Sequence, residues 1–134
     1  MQTKGIHHLG VAVVDLDEAI ATYERTLGAE FQHRETMASQ GAEAAAMLVG
    51  GSRVELLAPL EEDTPIGRFL ARRGPGMHHV AYEVDDLSDS LAELTGNGVA
   101  LVDEQPRPGL YGMQVAFLHP DAIHGVLSEL VACG

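Results

Sequence analysis

The chain repeats itself. Residues 5–23, GIHHLGVAVVDLDEAIATY, align with residues 76–94, GMHHVAYEVDDLSDSLAEL, at a shift of 71. The two segments share Gly5/Gly76, His7/His78, His8/His79, Val13/Val84, Asp15/Asp86, Leu16/Leu87 and Ala21/Ala92. Further on, Ala46-Met47-Leu48 matches Ala116-Phe117-Leu118 at a shift of 70, and Glu55-Leu56-Leu57 matches Glu129-Leu130-Val131 at a shift of 74. The chain therefore reads as a duplicated unit of about 55 residues, and each copy needs a partner to bury its apolar face. With 134 residues in all, this predicts a single domain over 1–134. Its parts are a first module over 5–60, a linker over 61–75 and a second module over 76–133.

Each copy has the same local code. Residues 6–13 alternate and are rich in Val, which predicts a strand. Asp15 then stands as a helix N-cap with Glu18 three residues on, and Leu16, Ala19, Ile20, Tyr23 and Leu27 follow at helical spacing before Gly28. Strands are expected near 30–36, 43–49 and 53–58. In the second copy a strand over 77–84 is followed by a helix capped by Asp86, then by strands near 99–103, 113–118 and 125–132. Thr64-Pro65 opens a short linker helix over 66–73 that Gly74-Pro75-Gly76 closes. The order is βαβββ, helix, βαβββ. It predicts an α+β fold of paired βαβββ modules, with eight strands forming a mixed, partly open barrel around a metal cavity.

Strand parity gives the repeat its chemistry. Side chains alternate faces along a strand, so His7, Leu9, Val11 and Val13 share the face under the helix, and His8, Gly10 and Ala12 share the other. In the second copy His79 and Ala81 lie on that other face. Glu55 and Glu129 sit at equivalent positions in apolar runs, where a lone buried carboxylate costs several kcal/mol unless paired or metal-bound. A single histidine on a strand is ordinarily a packed core residue, and a single strand-end glutamate ordinarily meets solvent. Both kinds recurring at repeat-equivalent positions point instead to one divalent metal site held by His8, Glu55, His79 and Glu129. Nitrogen and oxygen donors without thiolate suit Co²⁺, placed first, and Ni²⁺, Zn²⁺, Mn²⁺ or Fe²⁺. His7 and His78 read as packing residues, His33, His119 and His124 as solvated side chains, and Met37, Met47, Met77 and Met113 as cavity lining or core.

Composition narrows the function classes. Eight basic against 20 acidic residues give a net charge of −12, which argues against nucleic acid and an anionic membrane surface as partners. One cysteine, Cys133, leaves no intrachain disulfide and fits a reducing cytoplasm. The N-terminal stretch has no apolar signal core, and no run of residues approaches a membrane span.

Six stretches carry a resemblance to a known family. They are residues 7–13 (HHLGVAV), 54–60 (VELLAPL), 76–86 (GMHHVAYEVDD), 103–107 (DEQPR), 117–120 (FLHP) and 125–130 (GVLSEL). Together they resemble the vicinal oxygen chelate superfamily of glyoxalase I, extradiol dioxygenases and bleomycin-binding proteins, and within it the methylmalonyl-CoA epimerase family. The resemblance covers about residues 5–132. It implies metal ligands at His8, Glu55, His79 and Glu129, the four residues that parity selects, together with an acyl-CoA substrate and a homodimer. Some epimerases carry a glutamate proposed as a base on the strand after a Gln-Gly turn; here that position is Ala44, and Glu43 one residue earlier points to the opposite face. Two cations of the family pattern are also missing, at Asp121 and Gln114. Arg68, Arg72 and Arg73 on the linker helix, with Arg107, remain to seat CoA phosphates.

The expected reaction is removal and return of the C2 proton of methylmalonyl-CoA, with Glu55 and Glu129 as general bases. A glyoxalase-type isomerase or lyase would need the same ligands without the arginines, and a ligand-sequestering module would need a cavity without the metal. An extradiol iron site takes one carboxylate, so the second glutamate argues against it.

Overall fold

The computed structural model describes residues 1–133. Its elements are β1 (Thr3–Ala12), α1 (Leu16–Leu27), β2 (Glu30–Met37), β3 (Ala42–Val49), β4 (Ser52–Pro59), α2 (Pro65–Arg73), β5 (Gly76–Val84), α3 (Leu87–Gly96), β6 (Arg107–Pro108), β7 (Gln114–Leu118) and β8 (Ser128–Ala132). The class is α+β, and the βαβββ order occurs twice. The strand order is β2-β3-β4-β1 in the first module and β5-β8-β7-β6 in the second. By contacts the chain divides into two compact units, one of residues His8–His78 and the other of Met1–His7 with the stretch from His79 onward. The divisions fall inside β1 and β5.

In the first unit β1 and β4 are parallel, with Gly10 opposite Glu55 and Val11 opposite Leu56. β3 runs antiparallel to β4 and to β2. Asp15 accepts the Glu18 N–H at 2.9 Å, and Gly28 ends α1 at φ 64, a left-handed conformation that glycine adopts without a Cβ penalty. One face of α1 packs Leu16, Ala19, Ile20 and Tyr23 against Val11, Val13, Ala45, Met47 and Leu56. This is the helix-covered face that parity predicts. Leu56 and Met47 are essentially inaccessible to solvent, and cutting such a side chain to alanine costs about 2–5 kcal/mol.

The second unit repeats the plan. β5 and β8 are parallel with Ala81 opposite Glu129, and β7 is antiparallel to β8. Asp86 accepts the Asp89 N–H at 2.9 Å as the N-cap of α3. Leu87, Leu91 and Leu94 pack on Val84, Tyr82, Ala116, Leu118 and Leu130. Asp86→Ala leaves these N–H groups without their carboxylate and is expected to destabilise the fold by about 1 kcal/mol, read as a lower urea midpoint at unchanged slope.

Four expectations are corrected. The strand expected near 99–103 is a single bridge, Leu101 to Leu118, because the Asp103 carboxylate itself accepts the Phe117 N–H at 2.9 Å and displaces the ladder there. The pairing resumes only as the two-residue β6. The last strand starts at Ser128, since 120–126 wind into a turn in which Gly125 N–H reaches Pro120 O. Third, Ala46 is the partner of Glu55 and Phe117 the partner of Glu129. The β3 and β7 segments thus correspond at a shift of 71, and the Ala-Met-Leu/Ala-Phe-Leu match at 70 is one residue out of register. Met77, expected as cavity lining or core, is instead exposed, while Met37, Met47 and Met113 are buried as expected.

Candidate metal centre

Each unit builds one histidine–glutamate pair on the face opposite its helix. In the first, His8 Nε2 lies 3.2 Å from Glu55 Oε2. In the second, His79 Nε2 lies 3.5 Å from Glu129 Oε1. Relative exposures are 4% for His8, 8% for Glu55, 3% for His79 and 3% for Glu129. The parallel registers explain the pairing. Glu55 stands beside Gly10, two residues beyond His8 and on the same face, and Glu129 stands beside Ala81, two beyond His79. Glycine and alanine leave the room that the carboxylates fill.

The donor chemistry fits a divalent cation. Two ligand atoms about 2.1 Å from one ion and at right angles lie about 3 Å apart, close to the separation in either pair. Burying carboxylates in apolar strands is costly without compensating positive charge, and the fold does it twice at equivalent places. His7 is also buried. His78 sits edge-on to Phe69 at 5.1 Å between ring centroids, the packing role expected for it.

The surroundings of the two pairs differ. Opposite Glu129 is Phe117, whose ring meets His79 edge-on at 5.4 Å. The Arg107 guanidinium lies 5.9 Å over the Phe117 ring, with its Nε 3.1 Å from Asp103 Oδ1. Opposite Glu55 is Ala46, whose side chain is a single methyl group. Arg73 lies 5.7 Å over Phe69, Arg72 is exposed near the end of α2, and Arg68 pairs with Asp63 at 2.7 Å. The structure therefore puts Arg107 beside the second pair, and Arg72 and Arg73 on a helix of the first unit. Glu43 is on the helix side, where Arg34 bridges it to Asp17. Hydrogen bonds to Glu43 and then Asp17 hold the Arg34 guanidinium well above its usual pKa.

Parity alone misses one pair. A bulge between Phe31 and His33 shifts the register of β2 and sets His33 opposite Ala46 and Glu35 opposite Ala44. Both side chains thereby join the Glu55 face, with His33 Nε2 2.8 Å from Glu35 Oε1.

The model of the glyoxalase/bleomycin resistance protein/dioxygenase superfamily matches residues 7–117. The chain belongs to this superfamily. Among its relatives within the superfamily is the ethylmalonyl-CoA/methylmalonyl-CoA epimerase of Cereibacter sphaeroides, 35% identical over 93% of the chain and 95% of the relative. The crystal structure of methylmalonyl-CoA epimerase from Mycobacterium tuberculosis superposes with a TM-score of 0.94 at 40% identity, covering 98% of this chain and 89% of that one. A methylmalonyl-CoA epimerase solved with methylmalonyl-CoA and NH4+ gives 0.95 at 36% identity, covering 99% and 96%. Among the described residues no helix is long and apolar enough to cross a membrane.

Proposed function

We propose that the chain is a divalent-metal-dependent epimerase that interconverts the (R) and (S) forms of methylmalonyl-CoA. The observation that carries this reading is the buried histidine–glutamate pair that recurs at equivalent positions of the two modules. The epimerase relatives support the substrate class. In this proposal His8, Glu55, His79 and Glu129 close on one ion, with Co²⁺ the first choice. When bound, such an ion supplies a Lewis acid beside the thioester and carboxylate oxygens, where charge develops as the C2 proton leaves.

The chain's own residues do the rest. The hydrogen between a thioester and a carboxylate is weakly acidic. Its removal breaks the C2–H bond, forms an O–H bond on a carboxylate and leaves the electron pair delocalised as an enolate. Return of a proton to the opposite face gives the epimer. Glu55 and Glu129 are the proposed carriers, one for each face. The alanines at 42, 44 and 46 share the Glu55 face with Gly10 and Ala12, and side chains this small admit a branched acyl group. A homodimer and a cytoplasmic setting belong to the same proposal.

Arg107, Arg72 and Arg73 are proposed to seat the CoA phosphates. Arg72→Ala should raise KM for the acyl-CoA about tenfold with kcat held within about twofold, because a phosphate contact away from C2 is made equally in ground and transition states. Steady-state kinetics with both epimers check it. The function itself is tested by incubating metal-loaded protein with one epimer in heavy water. Conversion with deuterium at C2 is expected, and neither conversion nor exchange would reject it.

A further inference from the structure

We propose that His33, oriented by Glu35, is the proton-transfer group on the first module's side of the site, and that Glu55 stays a ligand throughout. This deepens the proposed epimerase activity and rests on it, with His33 in place of Glu55 as the carrier on that face. A carboxylate that holds an ion has its lone pairs committed, and withdrawing it for each turnover would loosen the centre. The structure offers a second basic group on the same face. The register sets His33, Ala46, Glu55 and Gly10 in one row across β2, β3, β4 and β1. His33 and Glu55 are therefore two strand spacings apart, about 9.6 Å between backbones. The register position between them is Ala46, whose side chain is a single methyl group. In the proposal a small acyl group lies over it, with Glu55 on one side and the imidazole on the other.

Glu35 supplies what an imidazole base needs. Its Oε1 is 2.8 Å from His33 Nε2, which orients the ring. The two side chains are 35% and 37% exposed, so the pair can also trade its proton with water. The step balances. The C2–H bond breaks, an N–H bond forms on His33 and the electron pair enters the thioester as the enolate. In the reverse direction the imidazolium returns the proton to the same face.

The test is epimerisation and deuterium wash-in at C2 in heavy water, run from each epimer, for wild type, His33→Gln and Glu35→Gln. Thr36→Ala, on the opposite face of β2, is the control, and metal content is measured for all four. The expected result is a loss of about 100-fold in epimerisation for His33→Gln and about tenfold for Glu35→Gln. Metal content stays unchanged, and wash-in falls from one epimer much more than from the other. Both variants within about threefold of wild type would overturn the proposal, as would a loss that tracks lost metal or lost folding. Equal loss of wash-in from both epimers would also overturn it, because a base on one face cannot produce that. Wild type that neither converts nor exchanges would overturn the proposed function, and the role of His33 with it.

Discussion

Glu129→Gln is expected to lower epimerisation of methylmalonyl-CoA by on the order of 10²–10⁴-fold, the range for loss of a positioned general acid–base group. Glutamine keeps the size of the side chain and an oxygen donor but cannot hold a proton. Glu129 is 3% exposed, faces Phe117 and stands beside His79, so no water-borne base replaces it readily. Because the proton is moved on one face from the second module, wash-in of deuterium should collapse from one epimer and persist from the other. Glu55→Gln is expected to be milder, since an amide oxygen can still serve as a ligand. Isotope incorporation measured by mass spectrometry separates the two. Undiminished exchange in both variants would reject a proton-transfer role for either carboxylate.

The second large effect concerns the ion. Stripping the protein with a chelator should remove at least about 99% of the activity, and one equivalent of Co²⁺ should restore it. Oxyanion-type stabilisation of this kind is commonly the largest single contribution to the rate. His8→Ala and His79→Ala should each lower metal affinity by more than the ~10–100-fold that follows loss of a mere outer-sphere partner. The two effects should be strongly non-additive if both residues hold the same ion. A metal held by the folded chain stabilises it by mass action, so the apoprotein should melt at a lower temperature than the loaded form.

Much of this was legible in the sequence. The duplication, the capping aspartates at 15 and 86, and the alternation around His8 and His79 are local signals that the fold obeys, because one face of each strand must pack under a helix. Glu55 and Glu129 were visible for the same reason: a carboxylate in an apolar strand demands an explanation. What the sequence hid depends on non-local register. The bulge after Phe31 turns His33 and Glu35 onto the open face, and no alternation rule counts across it. The Asp103 side chain replaces a ladder hydrogen bond and shortens a strand that composition favours. The one-residue offset between the β3 and β7 segments is set by pairing with β4 and β8, so Phe117 beside His79 could not be read from the matching tripeptides.

In the proposed function His8, Glu55, His79 and Glu129 hold a single ion. Calorimetric titration of the metal-free protein with Co²⁺, read as ions per chain, tests it most directly. One ion per chain is predicted, with tight binding lost on replacing either His8 or His79 by alanine. Two independent ions per chain, or tight binding that survives either replacement, would contradict it.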